Sequence, residues 1–321
     1  MIWSNHLALG KLTMLSGPSE LGKSTLSTDL IARLTRGDEW PDGDEAPRGS
    51  ALIISSEDSR RDTIKPRLAA VDADMSRVYF LDTTNDKGEH QTLNLQSDLK
   101  LLGEQIAAIG DVRLVVFDPI TAYLGHKIDS HQAVRVRGAL EPLQDAAERY
   151  GFAGLLIAHP QKASALNVLN AVSGSGAFIH VPRLSFITIT DPDDATRTLL
   201  LAGKNNLGCK AEGLAYRIES AFVGPNNDIL TSRVVWDHTP VRISANDALQ
   251  RAAERERASA RGEAEDFLRD RVGNGGVSAK DLLEEAGALG INQKTLRRAA
   301  KKMHIKPKKN GYQGQWWWQK D

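Results

Sequence analysis

The 321-residue chain has one cysteine, Cys209. An internal disulfide is excluded, as is a zinc finger built on the cysteines of a single chain. Such sparing use of cysteine fits a reducing compartment, and a cytoplasmic protein is expected. No apolar run approaches the roughly 20 residues needed to cross a bilayer. Met1-Ile2-Trp3 leads straight into Ser4-Asn5-His6, which is not a secretory leader. No membrane partner is expected. Net charge is missing too: 41 Lys and Arg balance 41 Asp and Glu, so the chain as a whole does not advertise nucleic-acid binding. The remaining composition, 41% hydrophobic and 26% charged, is that of a soluble globular protein. The length suits one large domain and a small one.

The stretch that is present and specific is Leu12-Thr13-Met14-Leu15-Ser16-Gly17-Pro18-Ser19-Glu20-Leu21-Gly22-Lys23-Ser24-Thr25. An apolar strand leads into Gly17-x-x-x-x-Gly22-Lys23-Ser24, the full phosphate-loop pattern. Glycines let the backbone curl so that successive N–H groups face a phosphate chain, and the helix from about Lys23 adds its positive end. Lys23 would reach the β- and γ-phosphates and the Ser24 hydroxyl would bind Mg²⁺. Leu26, Leu30 and Leu34 keep helical spacing, and Gly37 is the expected C-terminal cap. Residues Gly17 to Thr25 are therefore the expected ATP cradle. Glu20 is awkward there, because an acid beside a triphosphate is unfavourable unless it points away or meets a cation.

Ala51 to Ser55 reads as a buried strand ending in Ser56-Glu57-Asp58. Glu57 could polarise a water for attack on the γ-phosphate, or simply open a helix as a solvated acid; spacing does not choose. Helices are expected over 63–71, 97–109 and 133–150, the last kinked or interrupted at Pro142. Strands are expected over 78–81, 114–118, 153–158, 184–190 and 198–201, with edge strands at 214–219 and 234–237. Asp118 ends an apolar strand, as an acid serving the Mg²⁺ shell would. His159 ends another, where it could sense the γ-phosphate or sit hydrogen-bonded in a turn. Residues 161–175 are rich in Ala, Ser, Asn and Gly and are expected to be a loop, with Lys162 the one cation among them. Lys204 beside Asn205 and Asn206 could be a solvated tip or a cation donated to a neighbouring subunit.

Three segments are expected: an ATPase domain over 1–243, a helical linker over 244–262 and a small domain over 263–321. In the last, helices near Phe267, over 278–286 and over 292–302 precede a possible hairpin over 305–318. That layout is a winged helix-turn-helix, whose third helix enters the major groove. Lys294, Arg297, Arg298, Lys301, Lys302, Lys308 and Lys309 are the cations it would present, with no acid among residues 294–320. A solvated basic helix is the plainer alternative. One ring of Trp316-Trp317-Trp318 could stack on a base, while at least one should pack the hairpin onto the core.

The order Gly17–Ser24, Glu57, Asp118, His159 and Gly203-Lys204-Asn205-Asn206 resembles the RecA-like ATPases of the plasmid RepA-type helicase group. The resemblance covers about residues 5 to 240. It is carried further by Leu9-Gly10-Lys11-Leu12-Thr13, Ser55-Ser56-Glu57-Asp58, Pro66-Arg67-Leu68, Phe117-Asp118-Pro119 and Gly174-Ser175-Gly176-Ala177-Phe178. It implies an α/β fold with a RecA-like, mainly parallel sheet, and a ring that is usually hexameric. It implies that Glu57 is the catalytic carboxylate, Asp118 the Mg²⁺-associated acid and His159 the sensor. It implies a basic finger reaching the adjacent protomer's ATP, with Lys204 the first choice and Arg183 the second. The function it points to is an ATP-driven DNA motor, a helicase or helicase-like factor of a plasmid, prophage or integrative element. Single strands would lie in the ring channel and duplex at the C-terminal domain. An ATP-gated regulator or loader without unwinding, or a module docking on a primase, are the alternatives. The group more often has Pro-Gly where this chain has Ser19-Glu20.

Overall fold

Strand β1 (Leu12–Ser16) is buried along its whole length, and the main sheet grows from both its sides. The computed structural model describes residues 1–81, 83–84, 90–125, 133–159, 176–272, 276–309 and 315–320. They divide into two units, 1–250 and 251–321. Among the described residues the first unit holds a nine-stranded sheet, in which β2 (Ser50–Ser55), β3 (Val78–Phe80), β6 (Val112–Asp118) and β7 (Ala153–Ala158) lie on one side of β1. On the other side lie β8 (Leu184–Thr190), β9 (Thr198–Asn205), β10 (Gly213–Val223) and β11 (Ile229–Val241). The strand order is β11-β10-β9-β8-β1-β7-β6-β2-β3. The six strands from β8 to β3 run parallel, and β9 to β11 continue antiparallel. A separate short ladder joins β4 (Thr83–Thr84) and β5 (His90–Gln91).

Successive strand residues face opposite sides, so a sheet buried on both sides makes two cores. Ala51 and Ile53 enter one with Leu26, Ile31 and Leu34 of α1 (Lys23–Arg36) and Leu68 of α2 (Lys65–Ala70). Leu52 and Ile54 enter the other with Leu102 and Ile106 of α3 (Leu99–Ile109) and Leu140 and Leu143 of α4 (Ala133–Tyr150). Gly37 caps α1 in the left-handed conformation, its N–H bonded to the Arg33 carbonyl. Helix α4 contains Pro142 without ending there. Pro142 is exposed and Gly138, one turn earlier, is exposed too, so the carbonyl that loses its donor can be hydrated. A short helix α5 (Ala177–His180) precedes β8.

The largest departure from the sequence expectation is the β10–β11 pair, which spans Gly213 to Val241 as one long ladder. Its inner part lies against α1 and the loop before it: Trp236 Nε1 donates to Asp29 Oδ2 at 2.8 Å, and the Tyr216 hydroxyl donates to the Leu21 carbonyl at 2.7 Å. Helix α6 (Ala245–Val272) is continuous through the expected linker and the helix around Phe267. No proline interrupts that run, and Ala, Arg and Glu dominate it.

In the second unit, Leu268 and Val272 of α6 pack with Leu282 and Ala286 of α7 (Ala279–Ala288) and Leu296, Ala299 and Ala300 of α8 (Gln293–Lys302). A three-stranded sheet, β12 (Val277–Ser278), β14 (Trp316–Lys320) and β13 (Ile305–Lys309), completes it. Trp318 is buried in this core, whereas Trp316 is 54% exposed.

The parallel sheet with helices on both faces and the glycine loop after β1 is the architecture of a RecA-like P-loop NTPase core. Tyr216→Phe removes the donor that holds the Leu21 carbonyl. A lost buried bond of this kind costs about 1–3 kcal/mol. The urea midpoint should fall at unchanged slope, and an unchanged midpoint would show that the ladder does not hold the loop.

Candidate nucleotide-binding site

The loop between β1 and α1 is shaped by what lies behind it. At Gly17 a Cβ would sit 2.1 Å from Thr188 Oγ1 and 2.5 Å from the Thr188 carbonyl, so only glycine fits against β8. Gly22 takes φ 71 and opens α1 with no side-chain cap and no acid in the first turn. The helix's N-terminal N–H groups are thus left for an anion. Glu20 has φ 69, a conformation that favours glycine, and its side chain is exposed. Pro18 and Ser19 are exposed as well, and Leu21 is held through its carbonyl by Tyr216. Buried Thr25 places Oγ1 3.5 Å from Ser232 Oγ of β11.

Lys23 is only 3% exposed. Its ammonium donates to the Gly17 carbonyl at 2.8 Å and the Pro18 carbonyl at 2.6 Å, which holds it inside the loop. Burial pulls its pKa down to about 8, against the attraction of Asp118 and Glu57. Asp118 ends β6 and is pushed the other way, up to about 6. Burial is the main cause; nearby Asp58 and Glu57 add to it, and the Ser24 hydroxyl bond and Lys23 oppose it. Asp118 Oδ1 is buried with no hydrogen-bond partner among the described residues. A hydroxyl and a carboxylate side by side, with one carboxylate oxygen unspent, fit Mg²⁺; Ser24 and Asp118 would hold it.

Glu57, just past β2, is exposed, and its Oε2 lies 3.6 Å from His159 Nε2 at the end of β7. Its neighbour Asp58 is committed elsewhere, to Arg67 at 2.6 Å. That leaves Glu57 as the available acid of the Ser56-Glu57-Asp58 turn. Burial, and then Lys23, hold the His159 pKa below the usual imidazole value, while Glu57 pulls it up. At neutral pH His159 is an uncharged partner of Glu57. Its Nδ1 is buried without a partner among the described residues. Lys23, Ser24, Glu57, Asp118 and His159 therefore meet at the carboxyl ends of β1, β2, β6 and β7, where open α/β sheets bind ligands.

Tyr123, from the turn after β6, joins them unforeseen. It is 2% exposed and near Asp118, Glu57 and Ser56, and burial pushes its hydroxyl up to about 12. The loop's outer supports, Tyr216 and Thr188, were equally hidden. Alternation marks both as strand residues, but which loop they touch is settled only by the fold.

Lys204 and Arg183 are not in this group. Lys204 pairs with Ser185 in β9, and Arg183 directly precedes β8, at the end of the sheet opposite the loop. The Lys204 ammonium donates to the carbonyls of Ile179 at 2.8 Å, Pro182 at 2.9 Å and His180 at 3.3 Å. Burial lowers its pKa. Arg183 is exposed. Lys162 lies outside the described residues. In the second unit, Lys294, Arg297, Arg298, Lys301 and Lys302 are exposed along α8, opposite buried Leu296, Ala299 and Ala300. Lys302 is bonded to Glu265 at 2.8 Å. Lys308 and Lys309 are exposed on β13.

The raised pKa of Asp118 has a thermodynamic consequence. The folded state binds this proton more tightly than the unfolded chain. Its contribution to stability is full below about pH 4 and is lost as pH rises through about 6. The shift corresponds to roughly 3 kcal/mol at 1.36 kcal/mol per unit. In Asp118→Asn this loss disappears, so the variant's thermal midpoint should gain several degrees on wild type between pH 4 and pH 7. A difference constant across that range would show that Asp118 ionises normally.

No curated protein gives a significant match to the chain. A family model described as an AAA domain matches residues 1–165 of the 321, more than half the chain and the part that supplies Lys23, Ser24, Glu57, Asp118 and His159. The chain belongs to this AAA domain family and carries a P-loop ATPase domain.

Proposed function

We propose that the protein is an ATP-hydrolysing DNA motor, a ring-forming helicase or helicase-like replication factor of a mobile element. The observation that carries the hydrolytic reading is the 3.6 Å approach of Glu57 to His159 beside buried Lys23 and Asp118. The loop N–H groups and α1 bind the phosphate chain, and Lys23 moves from the loop carbonyls to the β- and γ-phosphate oxygens. Mg²⁺ bound by Ser24 and Asp118 would neutralise charge on the phosphates. Glu57 orients and deprotonates the attacking water. His159 is the polar group through which a change at Glu57 reaches the following loop.

Of the two finger candidates we take Arg183 as the better. Lys204 is already satisfied by three carbonyls of its own chain, whereas Arg183 is exposed beside it. The second unit is read as a winged helix, with α8 as the recognition helix and the β13–β14 hairpin as the wing. Trp318 packs that hairpin, and Trp316 is the ring left to meet a base or sugar.

Glu20 favours a second reading. An exposed acid in a strained loop position, where a glycine would lie easily, suits slow turnover. The protein would then be an ATP-gated DNA-binding regulator or loader. A strand-displacement assay separates the two: a motor unwinds a tailed duplex with ATP and Mg²⁺, and Lys23→Ala abolishes this. No displacement by wild type, with tight duplex binding retained, would select the regulator. The winged-helix reading has its own check. Replacing Arg297 and Arg298 with Ala should weaken duplex binding at least tenfold and lower the salt slope by about 2, leaving basal ATP hydrolysis intact. Unchanged duplex affinity would reject α8 as the recognition helix.

A further inference from the structure

The β10–β11 ladder runs on past the contacts that hold the phosphate loop. Ile218, Ser220 and Phe222 pair with Val234, Ser232 and Leu230, and all alternate to one face. That face is the one applied to the loop. A Cβ on Gly22 would lie 2.4 Å from Ile218 Cδ1, and Ser232 meets Thr25. One pair further along, about 7 Å at the usual rise per residue, the same face carries Phe222 and Leu230, each 62% exposed. The opposite face carries ion pairs along this stretch, Arg217 with Asp194 and Asp237 and Arg233 with Glu219, and ends in the apolar pair Val223 and Ile229.

Strand order decides what this apolar pair is next to. Glu57, Asp118 and His159 come from β2, β6 and β7, all on one side of β1. A phosphate chain in the loop points its terminal phosphate at them. The nucleoside end must leave over the other flank, which the β10–β11 ladder walls.

We propose that Phe222 and Leu230 are the platform for the nucleobase of the bound triphosphate, with Phe222 stacking on the ring face. The proposal rests on the nucleotide-binding reading of the loop and adds to it the subsite for the base. Recognition there is by stacking and burial, which every purine can satisfy.

The test is calorimetric titration of the full chain with Mg²⁺, using ATP and inorganic tripolyphosphate as the two probes. Phe222→Ala should raise the Kd for ATP about tenfold, in the range of a lost base–aromatic stack, and leave the Kd for tripolyphosphate unchanged. Phe222→Trp should restore ATP binding. Phe222 is exposed, so the variant should keep the wild-type melting temperature. Three results would overturn the proposal: an unchanged ATP affinity, an equal loss for both probes, or a change in mass by light scattering with ATP affinity intact. The last would make the face a contact between copies of this chain. Failure of wild type to bind either probe would instead overturn the nucleotide reading, and the platform with it.

Discussion

Two opposite charges, Lys23 and Asp118, are held almost out of water at the carboxyl ends of β1 and β6, two parallel strands with β7 between them. Each is displaced from its ordinary ionisation by that burial, the lysine downward and the aspartate upward. Neither is comfortable, and neither is fully spent: the ammonium rests on loop carbonyls and one carboxylate oxygen has no partner among the described residues. A site kept in this condition gains when a polyanion and a cation arrive. The rest of the first unit can be understood as what keeps those charges in place. The sheet and its two cores fix β1 and β6, Thr188 backs Gly17, and Tyr216 holds Leu21. Stability is given up locally so that binding can recover it.

Much of this is legible in the sequence. The phosphate loop is a local device, so its glycines, lysine and serine can be read from spacing. The apolar runs ending in Glu57, Asp118 and His159 were equally clear, because buried parallel strands are continuous apolar runs. Strands 153–158 and 184–190 fall where expected. What stayed hidden depends on long-range contact. The sequence contains Tyr216 and Leu21 but not the fact that they meet 195 residues apart. The β10–β11 ladder looked like two short edge strands because its outer residues mix polar and apolar types, and pairing with each other sustains them beyond the sheet. Glu57 and His159 each had an ordinary alternative, a helix start and a turn histidine. Their 3.6 Å approach is what joins them.

Lys204 shows how little a local motif says about where a side chain goes. Its position beside two asparagines reads as an exposed cation at a turn. In the fold it lies in β9 and its ammonium closes the carbonyls at the end of α5, so its charge serves the protomer's own chain. Arg183, an unremarkable residue before a strand, is the one left exposed. On α8, by contrast, the amphipathic pattern carried all the information. Leu296, Ala299 and Ala300 recur at helical spacing, and the cations between them had no other side to occupy.

We propose that the Lys23–Asp118–Glu57 site hydrolyses ATP and that DNA drives its turnover. The most direct measurement is steady-state ATP hydrolysis by the full chain with Mg²⁺, alone and with saturating single-stranded DNA. Slow basal hydrolysis should rise at least tenfold with single strands. Equal rates with and without DNA, under conditions where DNA is bound, would contradict it.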